Sequence, residues 1–197
     1  QYEHSTLATD LRHRIVGTAN YALPVGRGKR FGGNMPGWAN QIVGGWEVNT
    51  IIQVSSGYPI AMGVTGTAAF AGTRPMIVQG QNPLMGGGTK SHLTGGTPYL
   101  NPAAFALPRA FELGTVPRSW AAIRGPLNFS DDASVIKRFP IHDQVALQFR
   151  LEAFNVLNKV QFAAPAATAG AASNAFGFIT AQANSPRNVQ AALKLTF

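Results

Sequence analysis

The sequence predicts an all-β protein whose strands run as an antiparallel meander, and three observations favour this fold class. Apolar and polar side chains alternate with a period of two over residues 187–197 and again over 144–154. Charged residues make up 12% of the chain, about half the fraction usual in soluble domains. The 22 glycines and 13 prolines favour many turns over long helices.

The alternating segments have the length that a tilted strand needs to cross a bilayer, about ten residues. No run approaches the roughly eighteen consecutive apolar residues of a membrane-spanning helix. Because only a closed barrel satisfies strand backbones in lipid, a membrane-embedded chain of this type is expected to belong to a transmembrane β-barrel. A soluble, secreted β-sandwich binding module would show the same alternation and is the first alternative.

Five spanning strands are expected, and two long segments between them are expected to be loops. The strands are predicted at 11–23, 44–60, 129–140, 143–158 and 187–197. Residues 63–128 hold eleven glycines and seven prolines without a sustained period, and 159–186 should loop on the same side. The glycines of the basic turn 25–33 lack phosphate-binding spacing, and no helical pattern follows them. Five strands cannot close a barrel, so a partial barrel with long loops is predicted.

The alternation also assigns two faces to the predicted strands. One face is polar and should line the lumen, where Arg150 and Glu152 lie two residues apart and close enough to interact. The lumen-facing candidates are Arg14, Asn20, Glu47, Asn49, Gln53, Gln148, Arg150 and Glu152, followed by Gln190 and Lys194 in the last strand. The residues expected to face lipid are Ile15, Tyr21, Val48, Leu147, Phe149, Leu193 and Leu195.

The sequence contains histidines and acidic residues, but their spacing does not indicate a metal site or a catalytic site. None of the four histidines has metal-ligand spacing, and the adjacent pair His142-Asp143 falls in a predicted turn. Asp131 and Asp132 are either an acid or calcium-binding pair or a solvated strand end, and we expect the latter. There is no Gly-x-Ser-x-Gly elbow and no cysteine. We therefore predict no catalytic residue, no metal and no cofactor. Nucleic acid is not an expected partner, because the net charge of +8 is scattered along the chain.

Several short segments, in this order, resemble the C-terminal barrel portion of TonB-dependent outer-membrane receptors, and most of all the Oar-like group. They include Asp10-Leu11-Arg12-His13-Arg14, Gly44-Gly45-Trp46, Ser56-Gly57-Tyr58-Pro59, Arg124-Gly125-Pro126 and the strand Phe149-Arg150-Leu151-Glu152-Ala153-Phe154-Asn155-Val156-Leu157-Asn158. The resemblance implies energy-coupled uptake of an unidentified ligand across the cell outer membrane. It also implies that 1–197 is a C-terminal barrel segment whose plug and N-terminal domains, with the contact to TonB, lie outside it. An outer-membrane barrel enzyme is the second alternative.

The same resemblance implies two further partners. One is the barrel assembly machinery, whose signal in such receptors matches Gln190 and Phe197, with Leu193 and Leu195 between them. Ala192 stands where that signal usually has glycine, and Leu195 where it has an aromatic residue. The other partner is the outer membrane with its lipopolysaccharide. In one interpretation, the segment around His13 makes a contact within the barrel wall, or with lipopolysaccharide phosphate through Arg12 and Arg14. In the other, which we favour, His13 is a polar rim residue at the membrane edge.

Overall fold

The computed structural model describes residues 5–66, 71–142, 145–170 and 175–197. These residues form two compact units. The sheet unit comprises Ile15–Val54, Phe129–Lys159 and Ser185–Phe197. The loop unit comprises Gln1–Arg14, Ser55–Asn128 and Val160–Asn184. Each unit has its own internal contacts and is described separately.

Most of the regular elements are strands. In chain order they are β1 (Arg14–Ala22), α1 (Gly37–Val43), β2 (Trp46–Ser55), β3 (Pro59–Ile60), β4 (Gly63–Val64), β5 (Met76–Ile77), β6 (Phe105–Ala106), β7 (Trp120–Arg124), β8 (Asn128–His142), β9 (Val145–Phe154), β10 (Thr168–Ala169) and β11 (Asn188–Thr196). Two 3-10 turns lie at Thr89–His92 and Pro102–Ala104. No helix in the described part of the chain is long and apolar enough to cross a membrane.

The sheet unit contains one five-stranded sheet in the order β1-β2-β8-β9-β11. The strands are neighbours in chain order once the short strands of the loop unit are set aside, which makes the sheet a meander. Strand β9 runs antiparallel to both β8 and β11. The five spanning strands lie where the period-two alternation predicts them, and the sheet is open. The predicted fold class is therefore confirmed.

The register fixes which side chains share a face. Glu152 of β9 lies opposite Ser134 of β8 and Gln190 of β11. Directly opposed residues point to the same side of a sheet, and successive residues alternate. The even-numbered positions of these three strands therefore form one face, which is mostly polar, and the odd-numbered positions form the other, which is mostly apolar. We call them the polar face and the apolar face.

The short connection between β8 and β9 and two long connections lie at opposite ends of the sheet. Strands β8 and β9 are joined by two residues, with His142 opposite Val145. Strand β9 ends at the same end of the sheet at which β8 and β11 begin, because Phe154 lies opposite Asp132 and Asn188. The connection 155–187 therefore attaches to that end. The connection 56–127 attaches there too, because it leads into the start of β8.

The loop unit is folded around its own core, although its sequence has no period of 2 or 3.6. Leu100, Val116 and Ile123 are fully buried, and Ile60 and Met62 pack with them. Three two-stranded sheets surround this core, formed by β3 with β7, β5 with β6, and β4 with β10. The expected loops thus contain a packed body, which period-based reasoning could not detect because most of its strands have only two residues.

Strands β1 and β2 are connected by residues 23–45, which contain the short helix α1. No helical pattern was expected after the basic turn, so this part of the sequence prediction is wrong. Neither the Pro36 N-cap nor the Gly44 C-cap position adds a side-chain capping bond. The helix has only seven residues, fewer than an isolated helix needs in water. Tertiary contacts must therefore stabilise it, and they come from Lys137, as described below.

Candidate functional site

A groove of about 490 Å³ crosses the polar face of the sheet unit. Four strands contribute to it, and most of its side chains are polar or charged. They include Thr18, Asn20, Asn49, Asp132, Ser134, Arg150 and Glu152. Four of the lumen-facing candidates, Asn20, Asn49, Arg150 and Glu152, are among these residues. Gln148 lies on the same face of β9, and alternation places Arg14 on that of β1 and Glu47 and Gln53 on that of β2.

Within the groove, Arg150 and Glu152 form the contact that their spacing predicts. The Arg150 guanidinium lies 2.5 Å from Glu152 Oε1. Glu152 Oε2 accepts a 2.6 Å hydrogen bond from Gln190 Nε2 on β11. The Arg150 side chain is about half exposed, so the pair adds little to stability. Its effect is to hold a cation and an anion at fixed positions on the polar face.

Asp131 and Asp132 have a structural role, and the expectation of a solvated strand end is wrong. Asp131 is buried, and its carboxylate accepts the Leu157 N–H at 2.8 Å. Asp132 Oδ1 accepts the Asn155 N–H at 3.0 Å. The two acids thus bind the backbone of the turn that follows β9, where Asn155 has a φ of 52°. Charged acceptors make strong hydrogen bonds with backbone N–H groups, so the two carboxylates hold this turn in place.

One residue that sequence reasoning missed is Lys137 of β8, which lies on the apolar face. It is 2% exposed, and its Nζ donates to the backbone carbonyls of Ile42, at 3.1 Å, and Gly44. Its ammonium also lies 5.2 Å from the ring centroid of Trp46 and 5.0 Å from that of Phe139. The period-two parity of β8 would have revealed a lysine among apolar neighbours, because Val135 and Phe139 share its face.

The aromatic neighbours of Lys137 form a row across three strands of the apolar face. Lys137 lies opposite Phe149 in the register of β8 and β9. Phe149 and Trp46 meet edge to face, with ring centroids 6.1 Å apart. Trp46 Nε1 donates to the Ile42 carbonyl at 3.0 Å. The C-terminal end of α1 is therefore fixed on an aromatic cluster of the apolar face.

Strand β11 carries the four residues of the predicted assembly signal. Gln190, Leu193 and Leu195 lie opposite Glu152, Phe149 and Leu147 of β9, so the two leucines are on the apolar face. Phe197 follows the strand and is 92% exposed. Within the described residues, no strand pairs with the second edge of β11, and the same holds for β1 at the other side of the sheet.

A comparison with known families shows the class of protein to which this sheet belongs. A family model described as an outer membrane beta barrel domain matches residues 1–190. The chain belongs to this family. Its five-stranded sheet is therefore part of a transmembrane β-barrel, and the protein is located in the outer membrane. The soluble β-sandwich is set aside by this result. Neither the search of curated proteins nor that of solved structures gave a match.

In the loop unit of this outer-membrane barrel protein, Arg124 joins three of the segments on which the resemblance depends. Its guanidinium pairs with the Asp10 carboxylate and donates to the Asp10 carbonyl at 2.9 Å and the Gly57 carbonyl at 3.2 Å. The Arg124 carbonyl accepts a 2.6 Å hydrogen bond from the Tyr99 hydroxyl. Burial raises the pKa of Tyr99 above its ordinary value.

The flanking residues of the first segment also take part in this packing. Arg12 donates to the Ala121 carbonyl at 3.0 Å, and the His13 N–H donates to Ser56 Oγ at 3.3 Å. Arg12 thus contacts the loop unit itself.

The remaining described candidates for acid-base or metal chemistry do not form a common site. His92 is buried, with Nδ1 2.9 Å from the Thr97 carbonyl and its ring edge to face with Tyr99 at 5.2 Å. His4 and Asp143 lie outside the described residues. Across the part of the chain that the structure describes, no three His, Asp or Glu side chains are grouped so as to hold a metal ion.

Proposed function

We propose that this outer-membrane barrel domain is part of a TonB-dependent transporter that takes up a ligand by energy-coupled transport. The observation that carries the proposal is the polar groove, in which Arg150, Glu152 and Gln190 form a connected network. A lumen lined with fixed charges offers contacts to a polar ligand or to a plug. The resemblance to the Oar-like receptors agrees with this function.

The folded loop unit supports the same proposal. In outer-membrane barrels the long connections are extracellular and the short turns are periplasmic. By this rule, the end of the sheet that carries 56–127 and 155–187 faces outwards. A loop region with its own core (Leu100, Val116 and Ile123 fully buried) holds a defined surface for a ligand, which a simple pore does not require.

The experiment compares a plugged transporter with an open pore. The outer-membrane protein that carries this chain is purified from membranes and placed in planar bilayers, and in parallel it is cross-linked to TonB in cells. Large transporters have a plugged lumen, so we expect no steady ion conductance. We also expect a cross-linked product with TonB that is absent from cells without TonB. Steady conductance like that of a porin purified in the same way, without a cross-link, would contradict the proposal.

We further propose that the chain has no enzymatic activity. Asp131, Asp132 and the buried His92 are engaged in structural bonds. Ester hydrolysis by the purified protein, measured with short- and long-chain acyl substrates, checks this. Turnover above that of a heat-denatured sample would instead favour the barrel enzyme.

We also propose that β11 is recognised by the barrel assembly machinery through strand addition. An unpaired strand edge offers backbone hydrogen bonds to a partner, and side chains on one face add specificity. The exposed edge of β11 and the position of Leu193 and Leu195 on the apolar face support this.

A further inference from the structure

The connection between β1 and β2 has a structure that the transport proposal does not use. Residues 24–45, here called the foot, contain the basic turn and helix α1. The foot lies at the end of the sheet that carries the short connection between β8 and β9, because β2 begins on that side: Trp46 lies beside Lys137, and Thr50, further along β2, bonds to Asp132 near the start of β8. This end is periplasmic by the rule that short turns face the periplasm.

The foot is fixed to the apolar face. The Ile42 carbonyl accepts hydrogen bonds from both Lys137 Nζ and Trp46 Nε1, and Gly44 accepts a second one from Lys137. Lys137 and Trp46 are both on the apolar face, which is the lipid-facing side of the barrel wall. The C-terminal end of α1 therefore lies against the surface that contacts lipid.

The helix exposes large apolar side chains at this position. Trp38 is 72% exposed and Ile42, one helical turn later, is 62% exposed. Residues four apart lie on the same side of a helix, so the two form one apolar stripe. Tryptophan prefers the membrane-water interface, where its ring is buried and its N–H stays hydrated.

The basic turn next to the helix supplies the charge. Arg27, Lys29 and Arg30 are exposed, and the foot contains no Asp or Glu. The Arg27 N–H donates to Asn40 Oδ1 of α1 at 2.7 Å. This bond fixes the cationic turn to the helix, so the charges and the apolar stripe belong to one body.

We propose that the foot binds the periplasmic leaflet of the outer membrane, with Trp38 and Ile42 in the interface and the basic turn on anionic phospholipid headgroups. An apolar stripe beside clustered Lys and Arg is the pattern of interfacial segments that prefer anionic lipid. The inference rests on the outer-membrane location of the barrel and is independent of transport.

The test measures which lipids surround the foot. The protein that carries this chain is labelled with a bimane fluorophore at Ile42→Cys, whose side chain is exposed, and is reconstituted into vesicles of phosphatidylcholine and phosphatidylglycerol. Bromines are placed on the acyl chains of one lipid or of the other. We expect quenching from both, with a several-fold local enrichment of phosphatidylglycerol. Arg27→Gln with Lys29→Gln should abolish the enrichment, whereas Lys90→Gln with Arg109→Gln, an equal loss of charge in the loop unit, should keep it.

Three results would overturn the proposal. No quenching by either lipid together with a water-like emission maximum would show a foot in solvent. No quenching with a blue-shifted emission would show a protein, such as a second copy, covering the stripe. Equal quenching by the two brominated lipids would show contact with the bilayer without selection of anionic headgroups.

Discussion

Arg124 and Asp10, 114 positions apart in the chain, form an ion pair that holds the start of the described chain against the end of β7. Its arginine is largely buried, with 11% of the side chain exposed, and its aspartate is 38% exposed. Arg124 also donates to the carbonyls of Asp10, Gly57 and Ala121. The pair therefore acts as the centre of a polar network that joins three distant segments of the loop unit.

Replacing this arginine should loosen the loop unit. We expect Arg124→Ala to destabilise it by about 1–3 kcal/mol, because the carbonyls of Gly57 and Ala121 lose their buried donor. Asp10→Asn should cost less, since the aspartate is partly solvated and Arg124 keeps its carbonyl acceptors. Limited proteolysis of the folded protein measures the change. Arg12→Ala removes one exposed hydrogen bond and is the matched control. Equal protection of the Arg124 and Arg12 variants would contradict the role of the network.

A second contact between the same segments requires a residue without a side chain, Gly57. A Cβ on Gly57 would lie 1.9 Å from the Gly125 carbonyl oxygen, whereas a Cβ on Gly125 would meet nothing closer than 3.7 Å. Gly57→Ala should therefore force the segments apart. We expect it to lower the free energy of unfolding by about 1–3 kcal/mol, the usual range for overpacking. Gly125→Ala should be tolerated. The same proteolysis assay compares the two, and equal sensitivity would show that the close approach is not required.

The sheet was predictable from sequence because its signal is local. Alternation along β9 is visible in ten consecutive residues, and the Arg150–Glu152 contact follows from a spacing of two. The loop unit was not predictable in this way, since Asp10, Gly57 and Arg124 meet only through contacts between distant segments. Helix α1 was missed because its stability comes from Lys137, 95 positions after Ile42. The position of Lys137 among apolar side chains could have been predicted, because Val135 and Phe139 lie two residues to either side of it in β8.

The assignment of faces gives a sharp test in β9, because a register error of one residue would invert it. Phe149 lies on the apolar face against Trp46 and opposite Lys137. Phe149→Arg should cost about 2–4 kcal/mol near mid-membrane, and it adds a second cation beside Lys137. Gln148→Arg, on the polar face, should be mild. Urea unfolding of the protein in lipid vesicles compares the two, and equal costs would defeat the assignment.

Lys137 should stabilise the foot more than the strand that carries it. Lys137→Met keeps most of the side-chain volume but removes both hydrogen bonds to the Ile42 and Gly44 carbonyls. We expect a loss of about 1–3 kcal/mol, typical for a buried polar group left without its partner. Trypsin should then cleave more rapidly after Arg27, Lys29 and Arg30. Lys194→Met on the polar face is the control, and the same cleavage rate in both variants would show that Lys137 does not hold the foot.

Phe197 tests whether the edge of β11 has a role in assembly beyond stability. Its ring is 92% exposed in the structure, so Phe197→Ala removes few contacts from the folded sheet. If the ring is instead bound by the assembly machinery during strand addition, the variant should assemble much more slowly while its folded form resists urea almost normally. Folded, heat-modifiable protein in the outer membrane, followed over time after induction, measures assembly. Tyr21→Ala is the matched control, because Tyr21 is an exposed aromatic residue on the apolar face of the other edge strand, β1. Equal assembly rates for the two variants would remove the special role and leave Phe197 as one more lipid-facing side chain.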